Sequence, residues 1–246
     1  MTELDTRPYG YRARIGYTSP PLVTEVFPLE FYRIVPKGVT LMITTLAITT
    51  RSPDEVEKSY AASVQAAKAM AKAGATLVML GGNPINLSRG LENLDDITGA
   101  IEREIGIPVL TSSQSQIAAL QKLGSQRIAT VHPYEAHHNE RHEQAIRKFG
   151  FDPAGVIAVG GGFSDLGSIP EETALDLARR IKAENPGADT IHFASAHWAT
   201  AGVLDQIERE LGVSVMTSHQ AITWACLRRA GVMDSITGFG RLLREF

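Results

Sequence analysis

Short runs of apolar and β-branched residues recur along the chain, separated by longer stretches in which apolar positions return every three or four residues. RIGYTS, VTLMITTLAI, ATLVMLGG, IPVLTSS, RIATVHP, GVIAVGGG, TIHFASA and VSVMTSH have the length and composition of buried strands. Most of the intervening stretches carry the helical period. The one over 52–73 opens with SPDE, a serine cap followed by proline and two acids that suit the exposed N–H groups of a first turn. The one near Ile169 opens with PEET in the same manner. This alternation predicts an α/β chain with mainly parallel sheet. No linker rich in Pro, Gly or Ser divides the chain, and no low-complexity segment interrupts it.

The pattern also repeats. IEREIGIPVLTSSQ over 101–114 matches IERELGVSVMTSHQ over 207–220, and each copy is followed by a helix rich in Ala and long apolar residues. Upstream of each copy a Gly-Ala pair starts a strand, Gly74-Ala75 and Gly187-Ala188, and eight residues beyond each glycine the strand runs out, at Gly82 and at Ser195. Two halves share one plan, which predicts a first α/β domain of 1–112 with 218–246 and a second of 113–217. In open parallel sheets ligands bind at the strand C-termini, beside the free N–H groups of the following helices. Gly82-Asn83 and Ser195-Ala196-His197 are therefore the candidate site, expected to share one cleft.

Composition narrows the partners. The 246 residues are 43% hydrophobic and 21% charged, with a formal net charge of −3 and both signs interspersed, which points to a globular chain with a small-molecule ligand rather than nucleic acid or an anionic membrane. The first ten residues are polar and no apolar run approaches the roughly 18 residues of a membrane span, so a cytoplasmic protein is expected. A homo-oligomer is left open. The single cysteine, Cys226, cannot form an internal disulfide, and its place in TWACLRRAG suggests the buried side of a helix.

IGYTSPP in the first strand, GGNPINLSRG after the third, HPYEAHHNER after the fifth, GADTIHFASAHWAT, IERELGVSVMTSHQA and the closing GFGRLL, taken in this order and spacing, resemble the aspartate/glutamate racemase superfamily, and within it the arylmalonate decarboxylase and maleate isomerase branch. The resemblance runs nearly end to end. It implies two pseudo-symmetric flavodoxin-like domains with parallel sheets, an active site between them, and cofactor-free chemistry through a carbanion or enolate beside a carboxylate. Racemases and isomerases of this type carry a cysteine at both strand ends, and the decarboxylase only at the second. Here Gly82 and Ser195 occupy the two positions.

A serine hydroxyl is a far poorer proton donor or acceptor near neutrality than a thiol, whose unperturbed pKa is about 8.5. Two-thiol racemisation is thus not expected, whereas decarboxylation needs only a destabilised carboxylate, fixed donors for the enediolate and a proton. His197 is the candidate acid, because an imidazole titrates near pH 6.5 and SAHW resembles a Cys-Thr-His-Tyr run of glutamate racemases. Its alternative role is to bond a backbone carbonyl at a helix start. By the resemblance, carboxylate binding maps onto Asn83, Pro84, Tyr134, Ser195, Ala196 and His197; Pro84 lacks an N–H, so one donor of the pattern is lost. Pro20 and Pro21 match a Pro-Pro that borders the cleft, and Ile48, His132, Phe163 and Leu166 join them as substrate-lining positions. Arg51 stands where the decarboxylase has an apolar pocket residue. Turned inward it would bind a second carboxylate, and turned outward it would face solvent.

HPYEAHHNERH places His138 and His142 four apart, the spacing of a metal-ligand pair on a helix, but no third ligand is set by spacing and the flanking residues suit a solvated face, so no metal is expected. VGGGFSDLG lacks the lysine and spacing of a phosphate loop and reads as a flexible loop at the pocket edge. Three functions follow. The first is a cofactor-independent decarboxylase-like lyase acting on a malonate-type or dicarboxylate substrate, with Tyr134 and Asn83 holding a carboxylate. The second is an isomerase, hydratase or hydrolase in which Ser195 works with His197 or His219. The third is a carboxylate-binding homologue without catalysis.

Overall fold

The computed structural model describes residues 8–48, 52–162 and 165–246. They form two compact units, the first from the described residues of 1–24, 35–115 and 225–234, the second from those of 25–34, 116–224 and 235–246. Each unit holds one four-stranded parallel sheet. In the first, β1 (Ala13–Pro21), β2 (Val39–Ile48), β3 (Leu77–Leu80) and β4 (Val109–Thr111) lie in the order β2-β1-β3-β4. In the second, β5 (Arg127–His132), β6 (Asp152–Ala158), β7 (Thr190–Phe193) and β8 (Ser214–Thr217) lie in the order β6-β5-β7-β8. The topologies are identical, as the repeat requires, and all eight predicted strands are present.

Several strands stop earlier than their apolar runs suggest, for a local reason. Thr111 and Thr217 are the last residues of β4 and β8, and the helices α5 (Ser112–Leu123) and α9 (Ser218–Arg229) begin at the next residue. The repeated T-x-x-Q is a capping box: Gln114 and Gln220 donate backbone N–H to Thr111 Oγ1 (3.2 Å) and Thr217 Oγ1 (3.1 Å), and the glutamine Oε1 atoms accept in return from Thr111 Oγ1 and Thr217 N. The repeated glutamate also has one role twice, since Glu102 and Glu208 each accept an N–H at the start of the next strand, from Val109, the first residue of β4, and Val215, the second of β8.

In the first unit α2 (Pro53–Lys72) starts at its predicted cap, Ser52, which accepts Glu55 N–H, and lays Ala67 and Met70 on a core with Val78, Leu80, Ile101 and Val109. In the second unit α7 (Glu171–Glu184) buries Ala174, Leu175, Ala178 and Ile181 against Ile191, Phe193, Trp198, Leu204, Ile207 and Val215. Its start corrects the reading of PEET, because Pro170 occupies the cap position and no side chain caps the helix. The helix α1 (Val26–Ile34) groups with the second unit and buries Val26, Phe27, Phe31 and Ile34. Cys226 is buried, and burial pushes its thiol well above its ordinary range, in keeping with a packing role. Among the described residues no helix is long and apolar enough to cross a membrane.

Candidate functional site

In the second unit the strand end at β7 is a tight turn. Ser195 N–H reaches back to the Phe193 carbonyl at 3.1 Å, and His197 N–H donates to Ser195 Oγ at 3.1 Å. The Tyr134 hydroxyl donates to the same oxygen at 3.3 Å. Tyr134 and Ser195 are buried, whereas Ala196 and His197 are half-buried, so the turn presents one face to solvent from an otherwise closed setting. Trp198, the other notable residue of this run, is fully buried and packs edge-to-face on Phe193 at 5.7 Å. Trp198 thus packs, while Ser195 gathers the hydrogen bonds of the turn.

Tyr134 is held by rings. His132 stacks on it at 5.9 Å between centroids and on His142 at 4.1 Å, and His132 Nε2 pairs with Asn139 Oδ1 at 2.8 Å. His132 is fully buried, so it backs the tyrosine rather than lining a surface. His192, directly behind in β7, has both ring nitrogens buried without a hydrogen-bond partner; burial, then repulsion from His132, pushes it down to about 3 and keeps it neutral. The i,i+4 pair is corrected here. The helix α6 (Asn139–Lys148) begins one residue after His138, which sits at its cap while His142 turns into the ring stack. Among the described residues the group able to hold a metal is instead Glu135, His137 and His138, with ligand atoms within 4.8 Å of one another on an exposed to half-buried turn.

The first unit shows the matching strand end. Gly82 lies two residues beyond β3, as Ser195 does beyond β7, at φ 93° and at the start of the short helix α3 (Asn83–Leu87). A Cβ at Gly82 would lie 2.7 Å from Pro20 Cγ and 3.2 Å from Ile85 Cδ1, in a backbone conformation that L side chains rarely adopt. Glycine is the residue that fits. Asn83 Oδ1 accepts from Ser112 Oγ (3.2 Å) and Ser113 Oγ (3.0 Å), and Asn86 Oδ1 from Ser112 Oγ (2.7 Å) and Ser113 N–H (3.2 Å). Pro20, Gly82, Asn83 and Pro84 are therefore brought together, and Pro21 pairs in register with Ile48, which packs on Val56 and Ile85. Leu166 is buried in a short turn of the second unit. Arg51 and Phe163 lie outside the described residues.

Two residues were missed or misassigned. Glu30, fully buried on α1, accepts N–H from Thr200 (3.1 Å) and Ala201 (2.7 Å) on Oε2, lies 3.0 Å from His219 Nε2, and takes Arg33 on Oε1 at 2.7 Å. Burial by itself raises its carboxyl, but the hydrogen bond and charge of His219 and the two N–H groups outweigh it and hold Glu30 at about 2. His219, considered above as a base for Ser195, has Glu30 and Thr217 as its partners. A readable signal existed: in VFPLEFYRI a glutamate stands in the middle of an apolar helical stripe.

Fold and strand ends together define a duplicated α/β protein of the aspartate/glutamate racemase superfamily. The model of one family in that superfamily, arylmalonate decarboxylase, matches residues 15–243, and the chain belongs to that family. It is 28% identical over 233 residues to arylmalonate decarboxylase of Bordetella bronchiseptica, covering 94% of this chain and 96% of the relative. It is 26% identical over 138 residues to maleate isomerase of Nocardia farcinica, covering 56% and 55%. Among solved structures, a variant of arylmalonate decarboxylase with a glycine changed to cysteine and a cysteine to serine, in its liganded form, superposes with a TM-score of 0.85 at 27% identity, over 95% of this chain and all of the other. Maleate cis-trans isomerase of Nocardia farcinica bound to TRIS shares the fold at a TM-score of 0.82 and 20% identity, over 95% and 98%. These relations support an activity of the decarboxylase or isomerase type.

Proposed function

We propose that this protein is a cofactor-independent, decarboxylase-like lyase acting on a small malonate-type or dicarboxylate substrate. The observation that carries this reading is the buried donor set at the end of β7, where Tyr134 and His197 N–H converge on Ser195 Oγ in a member of the arylmalonate decarboxylase family. One substrate carboxylate is assigned to Tyr134, Ser195 and the backbone of Ala196. The bond to the second carboxylate breaks, carbon dioxide leaves, and the electron pair passes into the retained carboxylate as an enediolate that these donors stabilise. His197 then gives a proton to the carbon and regains one from water.

A nucleophilic role for Ser195 has less support: its oxygen already accepts two hydrogen bonds, and His219 is engaged with Glu30. The test is a panel of substituted malonates and four-carbon dicarboxylates in deuterated water followed by NMR. Carbon dioxide release with one deuteron incorporated per product is expected. Isomerisation without carbon dioxide, or binding without turnover across the panel, would replace this reading with the isomerase or the non-catalytic one.

A further inference from the structure

The turn of residues 195–200 is tied near its start by the bonds around Ser195 and by the packing of Trp198 on Phe193. The next backbone groups, Thr200 N–H and Ala201 N–H, both donate to a single oxygen, Glu30 Oε2, on a helix 170 residues earlier in the chain. Gly202 N–H follows by donating to Glu171, which Arg33 joins to Glu30. A carboxylate with no solvent exposure is costly unless its lone pairs are satisfied. Glu30 has four partners, two of them the backbone of the segment that carries the candidate site.

The repeat supplies an independent comparison. Ser113 occupies in the first copy the position that His219 occupies in the second. In the first unit Ser112 and Ser113, at the start of α5, bond directly to Asn83 and Asn86 in the segment after the central strand β3. In the second unit His219, at the start of α9, reaches the segment after the central strand β7 through Glu30. Both units fasten the same segment from the same helix turn, one with neutral short side chains and one with a buried acid and imidazole. The second arrangement recruits α1, the helix between β1 and β2.

The geometry points to Glu30 as the positioning residue of the turn that carries Ser195 and His197, with His219 orienting its carboxylate; this rests on the reading of that turn as the substrate site. Glu30 acts through the N–H groups of Thr200 and Ala201, so its effect is on where His197 and the Ser195 donors stand rather than on the reacting atoms.

The full-length protein and two variants test this. Glu30→Gln keeps an acceptor of the same shape and removes the charge, and Glu30→Leu removes both. By NMR, the Thr200 and Ala201 amides should exchange with solvent about tenfold faster in the glutamine variant and about 100-fold faster in the leucine variant, while core amides of β5 and α7 keep their protection. The Ser195 and His197 backbone signals should shift with them. On a malonate that the wild type decarboxylates, kcat should fall about tenfold or more in the glutamine variant while KM moves less, because a misplaced acid slows the chemical step more than it weakens binding. Wild-type protection of Thr200 and Ala201 together with wild-type kcat in Glu30→Gln would overturn the assignment. If Glu30→Leu does not fold, the glutamine variant decides alone. If the wild type turns over none of the acids, the proposed function fails by itself, and the amide exchange still decides for or against Glu30.

Discussion

His197 is tied to Ser195 through its backbone N–H, which sets where the imidazole starts without using either ring nitrogen in that bond. His197→Asn keeps the N–H and removes the imidazole proposed to give the proton, so carbon dioxide release on an accepted malonate should fall about 100-fold or more. An unchanged initial rate would remove His197 from the proton step. Ser195→Cys places a thiol on the same turn and should speed product protonation by about tenfold or more, read as deuterium incorporation with a new thiol limb in the pH profile. The other strand end answers differently. Gly82→Cys would press against Pro20 and Ile85 at φ 93°, and should lower stability by about 1–3 kcal/mol in urea denaturation. A thiol is therefore recoverable at one end of the repeat and sterically opposed at the other.

At the scale of elements, the capping box decides where strand gives way to helix. Thr111 and Thr217 each close a strand and open a helix, and the two carbonyl-to-N–H registers meet at that residue. Thr111→Ala should cost about 1 kcal/mol in thermal or chemical denaturation, the usual price of a lost N-cap. Thr217→Ala should cost more, because Thr217 Oγ1 also contacts the His219 ring that orients Glu30. Equal costs would show that the buried pair is indifferent to its neighbour. The element boundaries were the part of the fold hardest to read: TSSQ and TSHQ look like continuations of apolar strands until the side-chain oxygens are seen to claim the helix N–H groups. The strands themselves were legible, since fully buried parallel strands demand continuous β-branched and aliphatic runs.

For the whole molecule, two buried groups, His192 and Glu30, contribute to the response to acid. His192 is held near 3, below its ordinary value, so the unfolded chain takes up its proton first and the stability it contributes is lost as pH falls below about 6.5. Glu30 is also depressed, to about 2, so its contribution is present above the ordinary carboxylate range and is lost as pH falls through about 4.5 toward 2. The melting temperature should therefore decline in two stages below neutrality, the first of them diminished by His192→Leu. A flat profile between pH 6.5 and 5 would contradict the buried, neutral state of His192. The missing pair of thiols has its own consequence at this scale: no exchange of the α-proton of aspartate or glutamate in deuterated water is expected, and exchange at enzymic rates would refute it.

Much of this was written in one dimension. The alternation of strand and helix and the internal repeat with Gly82 and Ser195 at matching places follow from residue order alone, because periodicity and residue chemistry are local properties; that thiols are missing at those two places came from the resemblance. Ser195 and His197 were legible as candidates for the same reason, lying at the end of a readable strand, while Tyr134 was carried over from the resemblance. What tertiary structure decided depends on residues far apart in sequence. Tyr134 and Ser195 meet across 61 residues, and Glu30 reaches Thr200 across 170. No local pattern states the partner of a buried charge, since its cost is set by the dielectric around it and relieved only by groups that folding brings within hydrogen-bond distance. Glycine at 82 stands by the resemblance where a cysteine would, and only its backbone angle and the nearness of Pro20 show that a side chain there is strained.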